Sequence, residues 1–195
     1  MLTTGLTWNK FAPNVGEIFS EDAAVKVTAL DYGETYPDNA TVWKINITSD
    51  NTVYYMCVSG GAGNIINWGD GSQTSTLSAD SDTNSRYTHT YAKAGIYIIQ
   101  VIGDRVEHIA TSVDSKYNTT ATDTYIIEAI QCSKSILNGN HMFYSSVNLE
   151  RIADTFQLPR GLVSGEGMFK GCSGLRYAPE TLRIPASLMN LRHFM

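Results

Sequence analysis

Asp70, Ser72 and His89 have the side-chain types of a hydrolytic triad, in which a serine oxygen attacks, a histidine takes its proton and a carboxylate orients the ring. That chemistry needs the serine raised on a sharp strand-to-helix turn of the form G-x-S-x-G. No such elbow occurs in the chain, and Gly71-Ser72 leads into polar sequence instead. Asp70 therefore reads as a turn residue whose carboxylate accepts backbone N–H groups, and His89 likewise reads as structural. Asp80, Asp82 and Asn84 space three oxygens as a calcium loop would, but lack the glycine at the sixth position and the closing glutamate, so a solvated loop is the simpler reading. Phosphate loops, dinucleotide fingerprints and H-E-x-x-H helices do not occur. No catalytic, metal or cofactor residue is assigned, and the chain reads as a non-enzyme.

Two segments must hold Asp70 and His89 in place. Ile65-Ile66-Asn67-Trp68 is an apolar run ending in an aromatic. Gly69-Asp70-Gly71-Ser72 stops it in a tight turn, because glycine accepts positive φ and the Asp can cap the turn. The answering segment carries His89-Thr90-Tyr91 and then Ala94-Gly95, which opens a β-branched and aromatic strand from Ile96 to Ile102. Upstream, Trp43, Ile45 and Ile47 alternate with Lys44, Asn46 and Thr48, which predicts a strand with one face in the core and one in water. Val53 to Val58 predicts another strand, Asn64 to Trp68 a third, and Ser75 to Arg86 a polar loop.

Trp68-Gly69-Asp70-Gly71-Ser72, followed by His89-Thr90-Tyr91 and Gly95-Ile96-Tyr97, resembles the polycystic-kidney-disease (PKD) type of immunoglobulin-like domain. The resemblance implies a β-sandwich acting as a spacer or adhesive module outside cells, with no family-wide active site. It makes Trp68, Gly69, Asp70, Gly71, His89, Tyr91 and Gly95 structural residues. The predicted strands are too few for a full antibody-like domain, so strands before residue 39 or after Gly103 are expected to complete the sheets.

From Tyr125 a different pattern repeats. Met142-Phe143 recurs at Met168-Phe169, Leu149 at Leu175, Thr155 at Thr181, Pro159 at Pro185 and Leu162 at Leu188, always 26 residues on. A fixed period in this range signals stacked units that bury their apolar sides against one another. Met168-Phe169-Lys170-Gly171-Cys172-Ser173-Gly174-Leu175 with Ala178-Pro179 resembles the BspA-like leucine-rich repeats of bacterial surface proteins. The first copy departs from that pattern, with Ser146 where Cys172 stands and Ala153 near the proline position, as in a degenerate entry repeat. Phe194-Met195 falls where a third Met-Phe is due. The natural protein is thus expected to continue, or to be capped by a partner, with self-association through the C-terminal face.

The expected fold is mainly β: an arm over residues 1–38, a sandwich over 39–104, a connecting segment over 105–124 and repeats over 125–195. The arm carries Trp8, Phe11, Ile18 and Phe19, which either pack on the sandwich or anchor the protein to a carrier, and a strand candidate from Val25 to Leu30. Charged residues make up 17% of the chain with a net charge of −5, so no basic field exists for nucleic acid or an anionic membrane, and no apolar segment approaches a membrane span. Cys57, Cys132 and Cys172 are odd in number and form no C-x-x-C pair, so they read as small buried apolar residues. The start, Met1 to Trp8, lacks the basic and apolar regions of a secretory signal.

Surface-display modules, reduced cysteines and no export signal together point to a bacteriophage virion protein, a head fibre or tail-associated adhesin. Its partners are expected to be a capsid or tail carrier and a host-surface protein or glycan. The alternatives are a bacterial cell-surface or secreted adhesin, and an accessory binding module of a larger hydrolase.

Overall fold

The computed structural model describes residues 35–77, 81–111 and 123–195. The arm's aromatics, the strand candidate from Val25 to Leu30, Asp80, and the side chains of Asp82 and Asn84 lie outside the described residues. Tyr36–Met195 make up one compact unit.

The unit is mainly β. One sheet contains, in spatial order, β4 (Ser75–Thr76), β3 (Ile65–Asn67), β6 (Gly95–Ile102), β1 (Ala40–Ile47), β8 (Ile126–Gln131) and β9 (Arg151–Ile152). The other contains β5 (Ser81–Tyr91), β2 (Thr52–Gly60) and β7 (Val106–Ala110). Trp43, Ile45 and Ile47 of β1 and Tyr54, Met56 and Val58 of β2 are buried in one cluster with Ile66, Ile99, Val101 and Ile109, so the two sheets face each other across a common core. The Trp43 indole Nε1 donates to the Tyr54 hydroxyl at 3.1 Å inside it, which satisfies a polar atom that burial would otherwise penalise.

Alternation on β1 runs as its sequence predicts from Trp43 to Thr48, but Ala40, Thr41 and Val42 are buried on both faces. The cause is the position of β1 between β6 and β8, together with the Ser133 N–H, which donates to the Thr41 hydroxyl. Two strands replace part of the polar loop expected from Ser75 to Arg86. β5 pairs with β2 from Tyr91 back to Ser81, and at the edge of its sheet an exposed face tolerates polar side chains. The sheets are also completed from beyond Gly103: β7 pairs with β2, and β8 pairs with β1.

From β8 onward the pairing turns parallel, and successive 26-residue copies lie on one another. β9 pairs with β8, and Tyr177 bridges Arg151, extending the first sheet. Asn138 bridges His108 of β7, Ser164 bridges Asn138 and Asn190 bridges Ser164, extending the second. Each copy thus adds one extended segment to each sheet, because a coil of this length is long enough for the crossover that parallel pairing requires. The backbone repeats with the same period: His141, Gly167 and His193 have φ of 57°, 62° and 53°, and Ser145 and Gly171 have 57° and 79°. One apolar core runs from Trp43 to Phe169 without a break.

Candidate functional site

The turn after β3 is built around two acceptors. Asn67 Oδ1 accepts the Gly69 N–H at 3.0 Å, and Asp70 Oδ1 accepts the Ser72 N–H at 3.0 Å. Gly69 has a φ of 81°, and a Cβ there would lie 2.3 Å from the Ile98 carbonyl oxygen, so close approach to β6 as well as φ demands glycine. Gly71 has a φ of 78° with open space around it, so its requirement is conformational alone. Trp68, at 1% exposure, is held by its indole N–H donating to Ser75 Oγ at 3.0 Å.

β5 brings His89 and Tyr91 onto this turn. His89 stacks on Trp68, with centroids 5.0 Å apart and planes 12° from parallel, and Tyr91 meets the imidazole edge-on at 4.7 Å. His89 Nε2 lies 2.7 Å from Asp70 Oδ2, and since an ionised carboxylate only accepts, Nε2 is the donor. The buried Tyr91 hydroxyl donates to the Trp68 carbonyl at 2.8 Å; burial pushes its pKa far above the ordinary tyrosine value. Tyr97 stacks on Tyr91 at 4.4 Å and donates to the Lys93 carbonyl. A Cβ on Gly95 would sit 3.2 Å from the Tyr97 hydroxyl oxygen, so Gly95 leaves room for that ring.

Chemically, Asp70 is the hub. Burial raises its pKa, but hydrogen bonds from Ser72 and His89 and the His89 charge outweigh burial and hold the carboxyl below its ordinary 3.8. Ser72 and His89 both bond to this carboxylate, whereas a triad would have the serine bonded to the imidazole. Trp68, Gly69, Asp70, Gly71, His89, Tyr91 and Gly95 come together in one place, and their hydrogen bonds and ring contacts lock β3, β5 and β6.

The repeat residues also meet. Met142, Phe143, Leu149, Met168 and Phe169 are buried, and Leu175 and Cys172 pack against them. Phe143 stacks on Phe169 at 5.4 Å and 19°, and Phe169 meets Phe194 edge-on at 5.6 Å. Cys172 Sγ donates to the Phe143 carbonyl in the copy before it at 3.1 Å. Ser146, its counterpart, is fully buried with a hydroxyl that has no partner.

An ion-pair ladder on the outer face of the first sheet has no counterpart in the sequence motifs. Lys44 pairs with Glu128 at 3.1 Å, and Arg151 with Glu128 at 3.3 Å and with Asp154 at 3.1 Å. The Arg151 guanidinium also lies 4.3 Å over the Tyr177 ring, and the Tyr177 hydroxyl donates to Asp154 at 2.6 Å. These contacts stitch β1, β8, β9 and the next copy together. The 26-residue spacing from Arg151 to Tyr177 is available as a signal; the 23-residue step from Glu128 to Arg151 breaks the period and hides the rest. Among the described residues no cluster of acidic, histidine or cysteine side chains could hold a metal ion. No protein-family model matches this chain, and no curated protein or solved structure does either.

Proposed function

We propose that this protein is a non-catalytic display and adhesion component of a bacteriophage virion, with a PKD-type immunoglobulin-like sandwich as base and BspA-like leucine-rich repeats as the presented part. The observation that carries this reading is the continuation of both sheets of the sandwich into the stacked copies: a base that templates a repeating surface suits presentation. The motif's polar atoms support it too, since they are consumed by the fold.

Location in the virion is supported by the free thiols of Cys57, Cys132 and Cys172, which fit a chain that folds and assembles in a reducing cytoplasm. Exposed Ile184 and Met189 on the copies support self-association. The carrier is the capsid or tail, held by the N-terminal arm, and a host-surface protein or glycan is the outward partner. The test is removal of residues 1–34, which leaves the bonds from Gln131 to Pro37 and from Lys134 to Asp38 intact. The shortened protein should fold with an unchanged melting temperature yet fail to enter particles; full incorporation would contradict the anchoring.

A further inference from the structure

A groove of about 930 Å³ opens where the chain crosses from the first sheet to the second. Three successive crossovers line it, and each contributes one cation: Lys134 after β8, Arg160 in the next copy and Arg183 in the one after. Asp38 is the one carboxylate among the described lining residues, so three cations face a single acid in a protein whose overall charge is −5. The Asp38–Lys134 pair is highly exposed on both sides, and such pairs exchange readily for another anion. Arg160 and Arg183 have no salt-bridge partner among the described residues. Arg183 spends Nη1 on the Glu180 and Leu182 carbonyls, which steadies the guanidinium and leaves its other N–H groups available. Leu158, Pro159 and Pro185 give the floor an apolar surface between these charges.

We propose that this groove binds a carboxylated polysaccharide, a chain of uronate-type sugars, lying across the stacked copies. The proposal rests on the display reading above and names the ligand class of its outward partner. Lys134 and Arg160 occupy equivalent positions 26 residues apart, and adjacent strand layers are about 4.8 Å apart. Arg183 follows Arg160 by 23 residues and stands off that register, so the cations form a staggered row, which suits a chain whose ring carboxylates turn in direction from one sugar to the next. A glycosidic chain is stiffer than an acidic peptide and loses less conformational freedom on lying along an exposed groove. No aromatic ring is present among the described lining residues to stack a nucleic-acid base, nor to carry a neutral sugar by its face, so recognition falls to charge.

The test uses the full chain, with immobilised polygalacturonate, dextran and polyglutamate as probes. The intact protein should be retained by polygalacturonate in a salt-sensitive way, and not by dextran. Arg160→Glu with Arg183→Glu should weaken retention about tenfold or more, while Lys93→Glu, a charge reversal outside the groove, should leave it unchanged. Both arginines are exposed, so an unaltered melting temperature verifies that the double variant folds. Absence of retention, equal or tighter binding to polyglutamate, or undiminished binding by the double variant would each overturn the proposal. Particle incorporation is measured separately and turns on residues 1–34. A chain that enters particles but ignores polyuronate loses only this ligand, and one that binds polyuronate but does not need its arm loses only the anchoring.

Discussion

Trp68 is the residue on which the motif turns: it closes the core at the end of β3, carries His89 on its face and accepts the Tyr91 hydroxyl on its carbonyl. Trp68→Ala should therefore cost about 3–5 kcal/mol in denaturant unfolding, the range for emptying a large aromatic site. Asp70 makes a pH-dependent contribution. Its folded pKa is depressed, so its stabilisation is fully present above the ordinary 3.8 and is lost as pH falls through the lower folded value. Asp70→Asn should lower the urea midpoint at neutral pH, and the gap to the parent should close on acidification below about pH 3.8. A gap that does not narrow would contradict the hydrogen-bonded carboxylate. Ser146 offers the opposite sign: removing its unpartnered hydroxyl with Ser146→Ala should stabilise by about 1 kcal/mol, read from the same unfolding curves.

At the scale of elements, the two turn glycines should separate. Gly69→Ala brings a Cβ against the Ile98 carbonyl in addition to an unfavourable φ, whereas Gly71→Ala meets only the latter. Thermal melts should rank Gly69→Ala as clearly the more damaging; equal effects would mean the β3–β6 approach is looser than described. The positive φ of these glycines is legible in the sequence, whereas the approach of Ile98 is not. Strands with apolar alternation, such as β1 from Trp43 to Ile47, and turns punctuated by glycine are readable because period and backbone conformation are local properties. β5 is not readable, since its partner β2 supplies the hydrogen bonds and its own polar residues resemble a loop. Repeat positions are legible as a period at Met142/Met168 and Phe143/Phe169, yet the joining of the copies to β7 and β8 is not, because pairing partners far apart in sequence leave no periodic trace. Likewise the cations of the groove converge only after three crossovers are stacked.

For the molecule as a whole, the central claim is that base and copies form one body. The uninterrupted core from Trp43 to Phe169 and the continuation of both sheets predict that a lesion in the copies is felt in the sandwich. A stack attached only by a connecting segment would instead unfold on its own, leaving the sandwich intact. Phe169→Ala discriminates, since Phe169 sits between Phe143 and Phe194 in the copies while the buried tryptophans Trp43 and Trp68 report on the sandwich. The measurement, made in a Trp8→Phe background so that only Trp43 and Trp68 report, is equilibrium unfolding in urea followed at once by tryptophan fluorescence and by far-ultraviolet circular dichroism. One coincident transition, shifted to lower urea by the same amount in both signals, is the predicted result; a fluorescence midpoint that stays with the parent while the dichroism transition splits in two would contradict it.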